Sequence, residues 1–239
     1  NAIQSAETEI LVAVQELSLP RIAESLVAAS RQGVNVKVIL ENNYSTPWSK
    51  QHELDLSSHG RQRLQRLSAL ADQDQNGVVS PEEARNHDAL LILQQGQIAW
   101  IDDTEDGSKG SGLMHHKFVV IDGERVITGS ANFTNSGMHG DAGATQTRGN
   151  VNHLISIQSP TLATVFKEEF AQMWGDGPGG SNNSRFGRNK TAQRLRTVKV
   201  GSMNVSVMFP PHAKTHSSHG IDVIEDQLGG AKKTIDLAL

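Results

Sequence analysis

The chain has 239 residues, which is enough for one large domain or two small ones. It contains no cysteine, which excludes disulfides, zinc–thiolate sites and cysteine nucleophiles. Its formal net charge of −4 argues against a strongly basic nucleic-acid surface, although a local basic groove still fits. No apolar run approaches the roughly 18 residues of a membrane span, and a first residue other than Met predicts a chain that was processed or cut.

The predicted elements begin with a strand–helix–strand pattern. Residues 9–14 form an apolar run of strand length, and Ser18 and Pro20 then mark the start of a helix. Gly33 ends that helix, because a left-handed backbone conformation costs least for glycine. Residues 34–40 alternate and are rich in β-branched side chains, so they predict the next strand, joined by a parallel crossover.

Further along the chain, helical patterns at 61–71 and 83–95 flank the polar stretch DQDQNGVVSPEE. The remaining strands and one further helix are predicted at 97–102, 115–121, 126–130, 152–158 and 161–174. We therefore expect an α/β fold in which one mixed β-sheet is flanked by helices. The helix–loop–helix of 61–95 is expected to stand off from that sheet as an insertion.

The stretch HHKFVVID carries the first chemical pattern. A strand sends alternate side chains to opposite faces, so His115 and Lys117 share one face while His116 points to the other. Asp122 ends this strand. The return strand then supplies Gly129, Ser130 and Asn132. An imidazole, a cation and neutral hydrogen-bond donors together suit a phosphate group, whereas a structural histidine explains only one residue of the set.

The full pattern His-x-Lys-x4-Asp-x6-Gly-Ser-x-Asn resembles the signature of the phospholipase D superfamily. The matching residues are His115, Lys117, Asp122, Gly129, Ser130 and Asn132. The order of strands and helices is also similar to that family over most of the chain, apart from about 43–95. Many members continue with Asn-x-Glu-Asn; here Asn150 matches, but Asn152 and His153 replace the glutamate and the last asparagine.

The resemblance implies cleavage of phosphodiester bonds through a covalent phosphohistidine, without a catalytic metal. His115 would attack phosphorus, Lys117 would neutralise the phosphate oxygens, and Asp122 would hold its neighbours by charge pairing. The substrate-binding residues would be Ser130, Asn132 and Asn150. Members of the family use two such motifs, and this sequence has one, so a second half is expected as a partner.

The resemblance also predicts the organisation of the chain. The predicted parts are a first repeat at 1–174 with an insertion at about 43–95, a linker at 175–197, and the start of a second, truncated repeat at 198–239. Strand-like alternation resumes at 198–209, and residues 6–14 align without gaps on 231–239 with three identities in nine, which chance explains equally well. The second motif would come from a missing C-terminal repeat, or alternatively from a homodimer partner.

The stretch from Asp72 to Glu83 fits the twelve-residue calcium loop of an EF-hand position by position, with Gly77 at the sharp turn. The predicted ligands are the side chains of Asp72, Asp74, Asn76, Ser80 and Glu83 and the main-chain carbonyl of Val78. A solvated polar turn between helices is the alternative. We expect a structural calcium ion rather than a catalytic one, which would suit a secreted or periplasmic protein.

Three functions follow from these patterns. The favoured one is a phosphodiesterase that resembles phospholipase D and acts on phospholipids. The second is a nuclease of the same superfamily, which the acidic balance slightly disfavours because a backbone-tracking groove needs Lys and Arg. The third is an inactive calcium-binding half-module.

Overall fold

A six-stranded mixed sheet forms the centre of the structure, a computed structural model that describes residues 2–104, 113–138, 149–217 and 219–236. Its strands are β1 (Glu9–Val14), β2 (Asn35–Leu40), β3 (Ala99–Asp102), β4 (Lys117–Ile121), β5 (Arg125–Gly129) and β6 (Leu154–Gln158). Their spatial order is β3-β2-β1-β4-β5-β6. The first three strands are parallel, and β4, β5 and β6 join by antiparallel pairing. The predicted mixed sheet is confirmed.

Helices cover both faces of this sheet. The helices of the described residues are α1 (Pro20–Arg31), α2 (Ser58–Ala71), α3 (Pro81–His87), α4 (Ala89–Gln95), α5 (Asn135–Met138), α6 (Pro160–Trp174) and α7 (Gly220–Gly229). Short 3-10 turns lie at Asn42–Tyr44, Trp48–Lys50, Glu53–Asp55 and Gly187–Asn189. Helices α1 and α4 pack on one face of the sheet, and α6 packs on the other. Within the described ranges, no helix combines the length and apolarity needed to cross a membrane.

Strand β4 divides its side chains between two apolar cores. Val119 and Ile121 pack on the side of α1, whereas Phe118 and Val120 pack on the side of α6. Because side chains alternate along a strand, Lys117 at the start of β4 belongs to the α1 face. The cores therefore fix the direction in which the motif presents its lysine.

The pattern at 83–95 predicted one helix, and that prediction was wrong. The structure has two helices, α3 and α4, which meet at Asp88. The backbone of Asp88 is extended, and its carboxylate accepts hydrogen bonds from the main-chain N–H groups of Leu90 at 3.0 Å and Leu91 at 3.4 Å. An aspartate that caps the next helix ends the preceding one, because the cap position is not helical.

The C-terminal part forms a separate hairpin rather than one long strand. Strands β7 (Arg196–Val200) and β8 (Met203–Val207) pair antiparallel around Gly201, whose φ is +58°. Their partly buried valines pack on the core beneath α6. Residues 231–236, which align in sequence with the start of the chain, form no strand, and residues 237–239 lie outside the described residues. The assignment of 198–239 to a second repeat stays a prediction.

Candidate active site

The lysine and the asparagine of the motif meet at a side chain that directly follows β1. Gln15 Oε1 accepts hydrogen bonds from Lys117 Nζ at 3.3 Å and from Asn132 Nδ2 at 3.1 Å. Lys117 Nζ also donates to the main-chain oxygen of His115 at 3.0 Å. The pairing of β1 with β4 places Gln15 here, because its N–H donates to the main-chain oxygen of His116 at 3.1 Å. Sequence analysis missed Gln15.

Burial lowers the pKa of both titratable groups of this site. Burial lowers the pKa of Lys117 to about 8. The pKa of His115 is lowered by burial first, and then by the positive charges of Lys117 and His116. At neutral pH the His115 imidazole is therefore neutral and able to act as a nucleophile, while most Lys117 side chains carry a charge that can hold an anion.

The segment just before β6 holds Ser130 in place. The Ser130 hydroxyl donates to Asn152 Oδ1 at 2.9 Å, and its oxygen accepts the His153 N–H at 3.2 Å. Glycine is needed at Gly129, because a Cβ at this position would lie 2.1 Å from the main-chain oxygen of His153. Asn150 is tied to α5 through its N–H, which donates to the main-chain oxygen of Ser136 at 2.8 Å.

Asp122 lies away from the other residues of the motif, and its predicted catalytic role stays a prediction. It follows the last residue of β4, roughly 16 Å along the strand from Lys117. Its carboxylate accepts hydrogen bonds from the main-chain N–H groups of Glu7, Thr8 and Glu9 at 2.7–3.1 Å, and no salt bridge to it is present among the described residues. Burial raises the pKa of Asp122, but these hydrogen bonds outweigh burial and lower it. The residue fixes the start of β1 by hydrogen bonds rather than by charge pairing.

His116 points to the opposite face and belongs to a buried ionic cluster. Its Nε2 lies 2.9 Å from Glu169 Oε1, and Lys190 Nζ lies 2.5 Å from the same oxygen. Glu169 is fully buried. Burial alone would raise the pKa of Glu169, but the bond from His116 and the charge of Lys190 lower it. Lys190 comes from the predicted linker 175–197, which therefore packs against α6.

A second buried carboxylate fixes the approach to the motif. Asp103 follows β3, and its Oδ2 accepts the N–H of Met114 at 3.0 Å while its Oδ1 accepts the N–H of Asn42 at 2.9 Å. These bonds join the residue before His115 to the ends of β2 and β3. Burial raises the pKa of Asp103. Together, Asp103 and Glu169 hold the two residues that flank the candidate nucleophile.

Two cavities open next to the motif. One, of about 400 Å³, lies between helix α2 and the segment that carries Ser130, Asn132 and Asn150. The other, of about 540 Å³, is lined by both histidines and by apolar side chains, including Met114, Met173 and Phe186. The site thus has a polar side and an apolar side.

The predicted calcium loop joins α2 to α3. The structure brings carboxylate oxygens of Asp72, Asp74 and Glu83 within 4.8 Å of one another, and oxygen ligands of this kind suit a hard cation. Gly77 has a φ of +82°, as a sharp turn requires. Hydrogen bonds from Ser80 and from the Gln73 N–H lower the pKa of Glu83 to about 2. Glu83 is therefore anionic at neutral pH.

The remaining predicted calcium ligands are used differently. The side chain of Asn76 donates to Asp74 Oδ2 at 2.8 Å and accepts the N–H of Val78 at 2.8 Å. The Ser80 hydroxyl donates to Glu83 Oε2 at 2.8 Å and forms the N-cap of α3. The structure thus gathers three of the predicted ligands, while the side chains of Asn76 and Ser80 bond within the loop.

A family profile and several curated proteins match this chain, and their descriptions point to related proteins. Residues 1–174 match the profile of a family described as "Cardiolipin synthase, PLD-like domain". A mitochondrial cardiolipin hydrolase from Xenopus tropicalis is 27% identical over 169 residues, which cover 71% of this chain and 56% of the relative. A phospholipase D from Rickettsia conorii is 26% identical over 175 residues, which cover 73% of this chain and 59% of that protein. The chain therefore spans less than two thirds of the length of these relatives.

Among solved structures, a phospholipase D family member, Nuc from Salmonella typhimurium, is similar to this chain. The two are 22% identical, and the alignment covers 74% of this chain and 84% of that one with a TM-score of 0.46.

Proposed function

The chain belongs to the family of PLD-like domains, and on that premise we propose that it hydrolyses phosphodiester bonds, with phospholipids favoured, through a covalent intermediate on His115. Relatives named cardiolipin hydrolase and phospholipase D support a hydrolase of this superfamily. The observation that carries the proposal is the link from Lys117 through Gln15 to Asn132, beside a histidine whose pKa is lowered. This arrangement offers a nucleophile, a cation and a neutral donor to one phosphate.

The proposed reaction has two steps. A ring nitrogen of His115 attacks phosphorus, and the bond from phosphorus to the leaving oxygen breaks as that oxygen takes a proton from a general acid. A water molecule then attacks the phosphohistidine, gives its proton to the same group acting as a base, and releases His115. Lys117 stabilises the charge that develops on the phosphate oxygens. The general acid would come from a second motif, in a longer chain or a homodimer partner.

The pH dependence of kcat/KM tests these assignments, because it reports the groups of the free enzyme. With bis(4-nitrophenyl) phosphate as substrate, we expect a bell-shaped profile. Activity should fall on the acid side below pH 6.5, where His115 becomes protonated, and on the alkaline side near pH 8, where Lys117 loses its charge.

The matched variant for the alkaline limb is Lys117→Arg. Because a guanidinium stays protonated above pH 12, the alkaline limb of kcat/KM for this variant should move to a higher pH than in the unmodified protein, even if its maximum activity is lower. An alkaline limb that stays in place in Lys117→Arg would contradict the role of Lys117.

Substrate preference is a separate test. Cleavage of a phospholipid rather than an oligonucleotide by the unmodified protein would support the favoured substrate, and the reverse preference would favour a nuclease.

We further propose that the loop from Asp72 to Glu83 binds one structural calcium ion, supported by the three gathered carboxylates. At about 100 times the dissociation constant, calcium should raise the melting temperature by roughly 5 °C or more. Glu83→Gln removes an anionic ligand yet can still close the N-terminal cap of α3, so it should abolish this shift. Glu82→Gln removes the same charge from the neighbouring residue and should keep it. An unchanged melting temperature of the unmodified protein would refute the site.

A further inference from the structure

Helix α2 reaches the candidate active site through one buried side chain, Arg63. Its Nε lies 2.6 Å from Glu16 Oε1, and the two side chains are only 10% and 14% exposed. The Arg63 guanidinium also lies 5.2 Å from the ring centre of Tyr44. Among the described residues, no other salt bridge reaches Glu16. Arg63 therefore balances the charge of a largely buried carboxylate, which is costly to leave unpaired.

Glu16 belongs to the segment that carries Gln15 into the site. The Glu16 main-chain oxygen accepts the N–H of Phe133 at 3.0 Å, and the Gln15 N–H donates to the main-chain oxygen of His116 at 3.1 Å. These two bonds place Gln15 between the two chain segments that carry the motif. The ion pair with Arg63 fastens the same segment to α2.

The Glu16 carboxylate also shares a cavity with residues that are expected to hold a phosphate. Glu16 and Arg63 line the polar cavity of about 400 Å³ together with Ser130 and Asn132. The side chain of Tyr44 lies within reach of both charges: burial raises its pKa, the Glu16 carboxylate raises it further, and the Arg63 guanidinium lowers it. The two charges therefore oppose each other at this wall of the cavity.

The ammonium group of Lys117 is the charge that a freed carboxylate would disturb. Within the part of the chain that the structure describes, its hydrogen bonds go to two neutral oxygens, Gln15 Oε1 at 3.3 Å and the main-chain oxygen of His115 at 3.0 Å. Its charge is therefore available to an anion. An unpaired carboxylate on Glu16, one residue from Gln15, would repel a phosphate or compete with it for Lys117, because charges interact strongly where little water lies between them.

We propose that Arg63 is a positioning residue of the candidate active site and that it acts through Glu16. Its guanidinium neutralises the carboxylate and holds the segment after β1. Gln15 can then bridge Lys117 and Asn132, and an incoming phosphate meets no free negative charge. This role gives α2, which carries none of the motif residues, a part in binding the substrate. The inference rests on the proposed function, because it needs the phosphate to bind beside Lys117.

A pair of charge-removing variants tests this role through calorimetric titration with bis(4-nitrophenyl) phosphate at low salt and pH 7. All variants carry His115→Ala, so that binding is measured without turnover. Arg63→Gln should weaken binding about tenfold, because the freed carboxylate of Glu16 opposes the anion. Adding Glu16→Gln should bring the dissociation constant back to within about twofold, since both charges are then gone. Arg63→Lys keeps the positive charge and should also stay within about threefold.

Salt separates this effect from a merely structural one. At 1 M salt the screening length falls to about 3 Å, so the loss caused by Arg63→Gln should shrink to about twofold. A loss that came from a displaced backbone would persist at high salt, and that result would overturn the proposed role.

The remaining outcomes separate the inference from the function on which it rests. Weak binding that persists after Glu16→Gln is added would overturn the role of Arg63. If Arg63→Gln alone does not fold, the double variant decides by itself, and it should bind as tightly as the His115→Ala protein. Lys117→Gln should also weaken binding, and binding unchanged by it would reject the proposed function. Binding weakened by Lys117→Gln but not by Arg63→Gln would overturn this inference alone.

Discussion

Replacing His115 by alanine is expected to lower the turnover of bis(4-nitrophenyl) phosphate by at least about 10³-fold, the scale of losing a nucleophile in a covalent mechanism. The variant should still bind the diester, because Lys117, Gln15 and Asn132 keep their hydrogen bonds. The loss should therefore fall on kcat rather than on KM. Steady-state kinetics of the folded variant, with folding checked by circular dichroism, measures this split.

The neighbouring histidine provides the control. His116 faces Glu169 and Lys190 on the other side of the strand, so His116→Gln should lower stability and leave turnover per folded molecule within about tenfold of the unmodified protein. If turnover per folded molecule falls further in His116→Gln than in His115→Ala, the nucleophile is His116 and not His115. Activity retained in His115→Ala would reject the covalent mechanism.

Supplying a second motif should raise the cleavage of a natural phospholipid by about 10²–10⁴-fold, which is the usual contribution of a general acid. An alkoxide leaving group needs a proton as the bond to phosphorus breaks. A nitrophenolate leaves without one, so the same addition should change cleavage of bis(4-nitrophenyl) phosphate far less. Comparing the two substrates separates acid catalysis from a general gain in stability.

The second half can be supplied by a longer chain or by self-association. Light scattering in the assay sample gives the molecular mass, and activity on phospholipid should rise with the fraction of the larger species. Mixing the unmodified protein with an excess of His115→Ala should suppress activity if two copies share one site. Rapid phospholipid turnover by a proven monomer of this chain would contradict the need for a second motif.

Local patterns predicted the sheet well because each signal lies within a few residues. The alternation of β4 and the apolar run of β1 are both readable in this way. Helices α3 and α4 were merged because the apolar pattern continues through Asp88. The cap that separates them depends on the backbone conformation of one residue, which periodicity does not show.

The site was only partly predictable because its supporting contacts are distant in sequence. Gln15 lies 102 residues from Lys117, and Glu169 lies 53 residues from His116, so no short motif contains either pair. Both become neighbours only when β4 pairs with β1 and α6 packs on the sheet. Tertiary pairing, and not residue type, gives these side chains their roles.

Asp122 shows that residues of one sequence motif need not lie at the same site. Its spacing from His115 and Lys117 suggests a common site, but the extended strand β4 carries it to the opposite end of the strand. There it binds the main chain of Glu7, Thr8 and Glu9. Residues that are close in sequence can therefore lie far apart when an extended strand joins them, whereas residues on the neighbouring strand lie only about 5 Å away.

The central claim is that His115 forms a covalent bond to phosphorus, and trapping that intermediate tests it most directly. The protein would be mixed with bis(4-nitrophenyl) phosphate and quenched at alkaline pH, where a phosphorus–nitrogen bond on histidine survives. Mass spectrometry of the peptide with both histidines then locates the adduct by fragmentation. We predict a nitrophenyl phosphoryl group on His115 that is absent from His115→Ala. Continued turnover with no adduct, or an adduct on another residue, would contradict the account.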